Sequence, residues 1–389
     1  MRTCSPLFLA LALVACDEPP PPMPVPTPPP EAQPAPVPAH PFVPPQMDLR
    51  PATGPITPAL FVDLAPASGP PGRGGLTTDA PLISPDVLGV GPFAVDDDGA
   101  VFTNDSDLGE VLVQPDGDWS RARALVRTPA NASGRREELL GLAMDATHVY
   151  VSSVVRAVDG EPSVFAIRAV PKGGGEARVL ARGECPGGVV ADVSVDDTHA
   201  YWVHTRRVDG VSTSTIQRAP KAGGPIETIV ADLGGFYAYA LVDGAVVYAT
   251  GDRFRERIER VPASGGPAEV LHQADDLVGA IVGDANGIAF TVRDPDMSHV
   301  HVFELPPGGE AREVAVFAGF PSSLCRDAGR TYWAEFTSEE LSAPMRVMTE
   351  TDGAPREVAA GVPRGAHWTI ARGRVYWGTD RGVASAALR

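Results

Sequence analysis

The sequence lacks most of the patterns that mark a known chemistry. No GxSxG, HExxH, phosphate-loop or dinucleotide-binding motif occurs, so the common nucleophile, zinc and nucleotide sites have no signature in this chain. Basic residues number 32 against 49 acidic ones, and the net charge of −17 argues against a nucleic acid partner, whose phosphates would be repelled. Only two lysines occur, Lys172 and Lys221, and we attribute this scarcity to a GC-rich genome rather than to function.

Long apolar runs are also absent, and the apolar run near the N-terminus is short. It extends from Pro6 to Ala15 behind Arg2, which predicts a signal peptide over residues 1–15. Leu13-Val14-Ala15-Cys16 resembles the lipobox of bacterial lipoproteins. That resemblance implies lipidation at Cys16 and a bacterial cell-envelope location, either on the periplasmic face of the inner or outer membrane or at the cell surface. The alternative is an ordinary secretory signal cut near Ala15.

Proline dominates the next segment. From Pro19 to Pro58, 18 of 40 residues are proline, a composition that favours extended polyproline II over a packed core. We therefore predict a disordered tether over residues 16–58, with a reach of up to about 100 Å, and a folded domain over residues 59–389. The alternative for this segment is a docking site for a proline-binding partner.

Cysteine is scarce as well. A signal peptide would remove Cys4 and lipidation would modify Cys16, which leaves Cys185 and Cys325. These two fall in different repeats, nearly across the predicted ring, so we expect free thiols rather than a disulfide.

The chain does contain a repeat. Val195 to Asp232 reads as three short strands, Ala200–Thr205, Ser214–Ala219 and Ile226–Ala231, with Val189–Val195 as a fourth strand before them. An aromatic anchor recurs every 42 to 51 residues, at Phe102, Tyr150, Tyr201, Tyr248, Phe290, Tyr332 and Tyr376. Six of the repeats also carry a proline- or glycine-containing turn after the third strand, such as Pro220 to Gly224.

Four-stranded repeats of this period predict an all-β fold, a β-propeller of seven blades, each made of four antiparallel strands. Six blades are the alternative if the last anchor pairs outside the ring. The seventh repeat has only three strands of its own, so we predict that an N-terminal strand from residues 76–84 or 59–64 closes the ring.

Several segments resemble a known group. Ala200-Tyr201-Trp202, Thr331-Tyr332-Trp333 and Val375-Tyr376-Trp377-Gly378-Thr379-Asp380 look like YWTD-type repeats of the TolB-like propeller superfamily. The resemblance covers roughly residues 85–389 and concerns blade construction. That superfamily usually has six blades, and four of the seven anchors lack the following tryptophan.

Acidic turns are candidates for a metal site. The segments Asp96–Gly99, Asn104–Asp107 and Asp284–Gly287 carry oxygen ligands of the kind Ca²⁺ prefers, but none has the spacing of an EF-hand. Aspartate recurs in the same turn position at Asp145, Asp196, Asp243 and Asp327, which favours a role as turn residues. Among the histidines, His148 and His199 occupy equivalent turns, and His299 and His301 lie two apart on one strand, a weak zinc pattern.

The predicted innermost strands of the ring hold few carboxylates. Asp192 is the exception among the segments 92–95, 139–144, 189–195, 237–242, 278–282, 322–325 and 367–371. Propeller lactonases hold a metal in the channel with several such groups, so this composition disfavours an enzyme and gives no catalytic residue, metal site or cofactor. We predict a membrane-anchored, non-enzymatic scaffold, monomeric, that binds a protein or glycan partner. The alternative is a calcium-dependent hydrolase or lactonase, and a structural surface protein without a ligand is a third reading.

Overall fold

The computed structural model of the chain describes residues 90–97, 99–104, 110–115, 123–127, 137–156, 163–208, 211–233, 238–252, 255–274, 276–296, 298–318, 323–336, 343–363, 366–379 and 382–389. The regular elements in these ranges are all β-strands, and they form seven antiparallel sheets in chain order. Within the same ranges, no helix has the length and apolar character to span a membrane. The fold is an all-β propeller, as predicted, with each sheet as one blade.

Blades 1 to 4 are four-stranded meanders whose strands pair in sequence order. Blade 1 contains β1 (Val90–Asp96), β2 (Gly99–Asn104), β3 (Glu110–Pro115) and β4 (Arg123–Arg127). Blade 2 contains β5 (Glu138–Met144), β6 (His148–Val155), β7 (Val164–Pro171) and β8 (Arg178–Glu184). Blade 3 contains β9 (Val189–Val195), β10 (His199–Val208), β11 (Val211–Pro220) and β12 (Glu227–Leu233). Blade 4 contains β13 (Tyr239–Val242), β14 (Ala245–Asp252), β15 (Arg255–Pro262) and β16 (Glu269–Gln273).

Blades 5 to 7 continue the pattern. Blade 5 contains β17 (Leu277–Asp284), β18 (Gly287–Arg293), β19 (His299–Leu305) and β20 (Arg312–Ala318). Blade 6 contains β21 (Leu324–Asp327), β22 (Arg330–Phe336), β23 (Met345–Thr351) and β24 (Ala354–Val362). Blade 7 has three described strands, β25 (Trp368–Ala371), β26 (Arg374–Thr379) and β27 (Gly382–Ala387).

Among the described residues, the hydrophobic core forms seven separate clusters, one at each interface between neighbouring blades. One of them joins Phe93 and Phe102 of blade 1 to Tyr376 and Val383 of blade 7. A small sheet cannot bury both of its faces alone, and this arrangement gives every blade two packed neighbours. The ring is therefore closed with seven blades, and the six-blade alternative is excluded.

Adjacent residues of β10 show how one strand serves two interfaces. Tyr201 and Val203 pack in the cluster between blades 3 and 4, whereas Trp202 packs in the cluster between blades 2 and 3. Tyr201 and Trp202 are both fully buried. The period-two alternation in the sequence therefore predicted the two faces correctly.

The predicted strand bounds in blade 3 were correct for β9 and too short for the next hairpin. Pairing between β10 and β11 continues from His199 and Pro220 to Val208 and Val211. The polar residues beyond Thr205 gave no apolar pattern, but the backbone ladder extends up to the turn pair Asp209-Gly210, which itself lies outside the described residues. The segments predicted to supply the fourth strand of blade 7 also lie outside them, so closure by an N-terminal strand stays a prediction.

Candidate functional site

Two of the recurring turn aspartates, Asp145 and Asp196, accept hydrogen bonds from residues of their own turns. Asp145 Oδ1 accepts hydrogen bonds from the backbone amides of Thr147, at 2.8 Å, and His148, at 2.9 Å. Asp145 Oδ2 accepts one from the Tyr150 hydroxyl at 2.6 Å. Asp196 makes the same three bonds one blade later, to Thr198, His199 and Tyr201. These carboxylates cap the turn between the first two strands, which confirms the turn-residue interpretation over a Ca²⁺ site at these two positions.

Both lysines of the chain connect neighbouring blades at this level. Lys221 Nζ in blade 3 lies 2.7 Å from Asp145 Oδ2 in blade 2, and Lys172 in blade 2 forms the equivalent ion pair with Asp96 in blade 1. Burial acts to raise the pKa of Asp145, but the bonds from Lys221, Tyr150 and the two amides outweigh it and hold that pKa well below its ordinary value. A GC-rich genome accounts for the small number of lysines, but it does not account for their positions, since both form an ion pair between neighbouring blades.

We expect Asp145→Ala to lower the free energy of unfolding by about 3 kcal/mol, because it removes the turn cap and leaves Lys221 without its anion. Asp196→Ala is the matched control, since Asp196 makes the same turn bonds and the structure shows no lysine beside it. We expect that variant to lose only about 2 kcal/mol. Urea unfolding of both variants measures the difference. Equal losses, or a larger loss for Asp196→Ala, would show that the ion pair between blades contributes nothing.

His299 and His301, the two histidines of the weak zinc pattern, belong to a hydrogen-bond cluster at the surface of blade 5. Asp294 contacts both histidines, His299 Nδ1 at 3.1 Å and His301 Nε2 at 2.9 Å, and Glu313 lies 2.7 Å from His301 Nδ1. Burial acts to lower the pKa of His301, but the two carboxylates outweigh it and raise that pKa. No group of three or more His, Cys, Asp or Glu in the described part of the chain is placed to hold a metal ion.

The two cysteines of the propeller are not joined to each other. Cys185 is a free, fully buried thiol between blades 2 and 3, as expected, and burial raises its pKa. Cys325 is also buried, and its Sγ accepts a hydrogen bond from the Ile370 amide at 3.3 Å. Cys325 is disulfide-bonded, so the expectation of a free thiol was wrong at this position, because the sequence argument considered pairing with Cys185 only.

Two cavities border one arginine of blade 6. The first, which we call the mouth cavity, has a volume of about 250 Å³ and is lined by the ends of the innermost strands of blades 3 to 5, including Ser194, Tyr239 and Asp284, together with Arg326. The second, the inter-blade cavity, has about 510 Å³ and lies between blades 5 and 6, against Glu310, Arg312 and again Arg326. The guanidinium of Arg326 is therefore shared by both.

Arg326 is held by partners from blades 5 and 6. Its Nε lies 3.1 Å from Asp284 Oδ1, and its Nη1 lies 2.9 Å from Thr331 Oγ1 and 3.5 Å from Glu304 Oε1. Arg312 Nη2 then joins Glu304, at 3.0 Å, to Glu350, at 2.7 Å. Charges of alternating sign thus run across the two blades, and they give both cavities rigid polar walls.

Asp284 belonged to a candidate Ca²⁺ segment, but both of its carboxylate oxygens are engaged. Oδ1 accepts the Asn286 amide at 2.8 Å and Arg326 Nε, and Oδ2 accepts the Gly329 amide at 2.9 Å. Burial acts to raise the pKa of Asp284, but these donors outweigh it and lower that pKa. Asp284 therefore stabilises the turn at Asn286 and the ion pair with Arg326, and its oxygens already have these partners. Of the other candidate segments, Asp98 and residues 105–107 lie outside the described residues.

The inner strands carry more carboxylates than their predicted bounds allowed. The observed strands include Asp96, Glu138, Asp284 and Asp327, each at a strand end. Asp192 remains the one carboxylate in the interior of a described innermost strand. It has a positive φ of 52° and sits where β9 bulges opposite Trp202, and the structure shows no hydrogen bond or ion pair to its side chain. Aspartate adopts this conformation more readily than most residues other than glycine, and Asp232, Asp243 and Asp352 share it.

Asp192 also gives a pH-dependent contribution to stability. Burial raises its pKa to about 7, so the folded protein favours the protonated acid. That stability is fully present below pH ~4 and is lost as the pH rises through about 7. We expect Asp192→Asn to remove this loss and to be more stable than the wild type at pH 8 by roughly 2 kcal/mol, with little difference at pH 4. Thermal unfolding in phosphate buffer checks this, and equal stability at both pH values would contradict it.

Comparisons with known proteins give the fold alone. No protein family and no curated protein matches the sequence. An oligogalacturonate lyase in complex with manganese is 14% identical over 85% of this chain and 96% of its own, with a TM-score of 0.57. A prolyl endopeptidase structure is 14% identical over 76% of this chain, with a TM-score of 0.55, and this chain spans only 47% of its length. At these identities the likeness shows a β-propeller and no particular activity.

Proposed function

We propose that this chain is a lipid-anchored protein of the bacterial cell envelope whose propeller is a non-enzymatic binding module for a protein or glycan partner. The lipobox-like segment ending at Cys16 supports the anchor. Two or three acyl chains, at about 0.8 kcal/mol for each buried CH₂, would hold the protein at a membrane. The proline-rich segment would carry the ring away from the bilayer surface.

The observation that carries the binding role is the pair of preformed cavities around Arg326. Their walls are strand ends and ion pairs rather than long loops, so a partner would meet a surface that needs little ordering. The charged groups around Arg326 neutralise one another through short contacts, as in a positioned recognition surface. Concave sites with a few fixed polar groups are the usual form of a binding site.

Photo-crosslinking in native membranes tests this role. Amine-reactive reagents suit the protein poorly, because its two lysines are both held in ion pairs. We would place p-benzoylphenylalanine at Glu310, an exposed residue of the inter-blade cavity, and at Val211, which is 64% exposed at the far end of β11. The Cys16→Ala form of each variant serves as the control for anchoring, and mass spectrometry identifies the captured molecules.

We expect a reproducible partner from Glu310, absent from Val211 and reduced in the Cys16→Ala form, because binding and anchoring act together. Capture of a glycan or a protein would decide the partner class. The same species from both positions, or none above background from either, would contradict a specific binding face near Arg326. A captured molecule that is cleaved by the purified protein would instead favour the hydrolase alternative.

A further inference from the structure

A lysine side chain fills the groove between neighbouring blades at two interfaces of the ring. Lys221 of blade 3 donates its amide to the Thr198 carbonyl, and its own carbonyl accepts a hydrogen bond from Arg178 of blade 2. Its ammonium group lies 2.7 Å from Asp145 Oδ2, also in blade 2. Lys172 makes the equivalent contacts between blades 1 and 2. The groove at these interfaces is therefore closed by the protein's own side chain.

The interface between blades 5 and 6 has the same surroundings, but the inter-blade cavity lies there. Gly329 directly precedes β22, as Thr198 directly precedes β10. Arg312 is the first residue of β20, as Arg178 is of β8. Gly329 and Arg312 both line the cavity of about 510 Å³. Two groups that contact Lys221 at one interface thus have counterparts in the cavity wall at the other.

A shorter turn in blade 6 explains the cavity. The two lysines each open a long connection between the third and fourth strands of their blades, residues 172–177 and 221–226. In blade 6 the same connection is only Asp352-Gly353, with φ angles of 54° and 79°. Positive φ at both central residues is typical of a type I′ hairpin turn, which leads the chain straight back into its own blade. No side chain of this turn lines the cavity.

Arg326 supplies the positive charge that the lysines supply elsewhere. Asp284 ends the innermost strand of blade 5, and its Oδ1 lies 3.1 Å from Arg326 Nε. Arg326 reaches it from the innermost strand of blade 6 and is 7% exposed, so its guanidinium is fixed beneath the cavity. Since Asp284 already has its cation, the cavity does not require a positively charged ligand.

The charges of the cavity wall balance. Two guanidinium groups and two carboxylates line it, those of Arg312, Arg326, Glu304 and Glu310. A strongly charged ligand would lose its hydration there without meeting an excess of opposite charge. Glu310 is exposed and makes no hydrogen bond or ion pair with another described residue. Its carboxylate is therefore available to accept hydrogen bonds from an uncharged ligand.

Hydroxyl groups suit such a wall, because each of them both donates and accepts hydrogen bonds. The side-chain amide of Asn286 also does both, and Pro306 adds apolar surface to the same cavity. Sugar rings combine hydroxyl groups at their edges with apolar C–H faces. The volume falls within the range of roughly 300–1,000 Å³ that is typical of small-ligand sites. It fits a short oligosaccharide better than the flat surface of a protein.

We propose that the inter-blade cavity binds the uncharged end of a glycan. Glu310 accepts hydrogen bonds from sugar hydroxyls, Arg312 donates to them, and Pro306 packs against a C–H face. The net charge of −17 disfavours a polyanionic glycan in the same place. This inference rests on the proposed function, of which it selects the glycan rather than the protein partner.

Saturation-transfer difference NMR on the purified mature protein tests the site. The neutral probes are maltotriose, mannotriose and N,N′,N″-triacetylchitotriose, and the charged probes of similar size are trigalacturonic acid and trilysine. Arg312→Met keeps most of the aliphatic stem and removes the donors, and Glu310→Ala removes the free acceptor. Arg257→Met is the matched control, because Arg257 is another half-exposed, ion-paired arginine and lines neither cavity.

We expect at least one neutral probe to bind with a Kd of about 1 mM or tighter, and the charged probes to bind more weakly. The Kd should rise about fivefold or more in Arg312→Met and in Glu310→Ala and stay unchanged in Arg257→Met. Neutral probes that do not bind, that bind equally well to both cavity variants, or that bind more weakly than a charged probe would overturn the glycan site. A protein captured at Glu310 in that case would leave the binding module standing, whereas no capture would contradict both proposals.

Discussion

Removing residues 55–85 is expected to lower the melting temperature of the protein by roughly 10 °C. Blade 7 has three described strands, and residues 76–84 or 59–64, both within the deleted segment, are predicted to supply the fourth. A six-residue strand that buries about three apolar side chains would contribute roughly 6 kcal/mol. In a domain of this size each kcal/mol corresponds to roughly 2 °C.

Calorimetry on the chain without its signal peptide measures this effect. The control deletion removes residues 19–50 of the proline-rich segment, and we expect it to leave the melting temperature unchanged, because that segment has no core-forming pattern. If the 55–85 deletion also melted as the intact chain does, the ring would not be closed by this segment.

Replacing Cys16 with alanine is expected to move nearly all of the protein from the membrane fraction to the soluble fraction. The acyl chains would be the membrane anchor, and the substitution removes the thiol that would carry them. Fractionation with intact-mass spectrometry measures both location and acylation. Cys185→Ser is the matched control and should stay in the membrane fraction.

The same preparation tests the processing of the leader. Cleavage before Cys16 would remove residues 1–15, and acylation would add the mass of the acyl groups at Cys16. We therefore expect the intact mass to show both the loss of residues 1–15 and the gain of the acyl groups. A Cys16→Ala protein that stays at the membrane, or a mature mass without acyl groups, would contradict the lipoprotein proposal.

The architecture was largely predictable because it depends on local patterns. The aromatic anchors and the period-two alternation at Tyr201 and Trp202 reflect how each blade presents two apolar faces. Local sequence patterns did not determine whether the ring has six or seven blades. It depends on packing between Phe102 and Tyr376, residues at opposite ends of the repeat series, and strand propensity carries no information about such a contact.

The candidate site was predictable only in part. Asp192 was noticed as the carboxylate of the inner strands, but the contacts of its backbone with blades 2 and 4 join distant parts of the sequence, and no spacing reveals them. Arg326 was missed although a signal existed. Met144, Val195 and Val242 stand six residues before the anchors of blades 2 to 4, and in blade 6 that position is arginine. Blades 1 and 5 carry Asp96 and Asp284 at this position, so the signal for a local role is the basic charge in blade 6.

The most direct test of a non-enzymatic binding module is equilibrium binding of the purified mature protein to the molecule that Glu310 captures. The mass of that molecule is recorded before and after incubation. We predict saturable binding with micromolar or tighter affinity, weakened when Arg312 at the inter-blade cavity is replaced by alanine, and a partner returned with its mass unchanged. A partner returned cleaved or modified, or no saturable binding at all, would contradict the account.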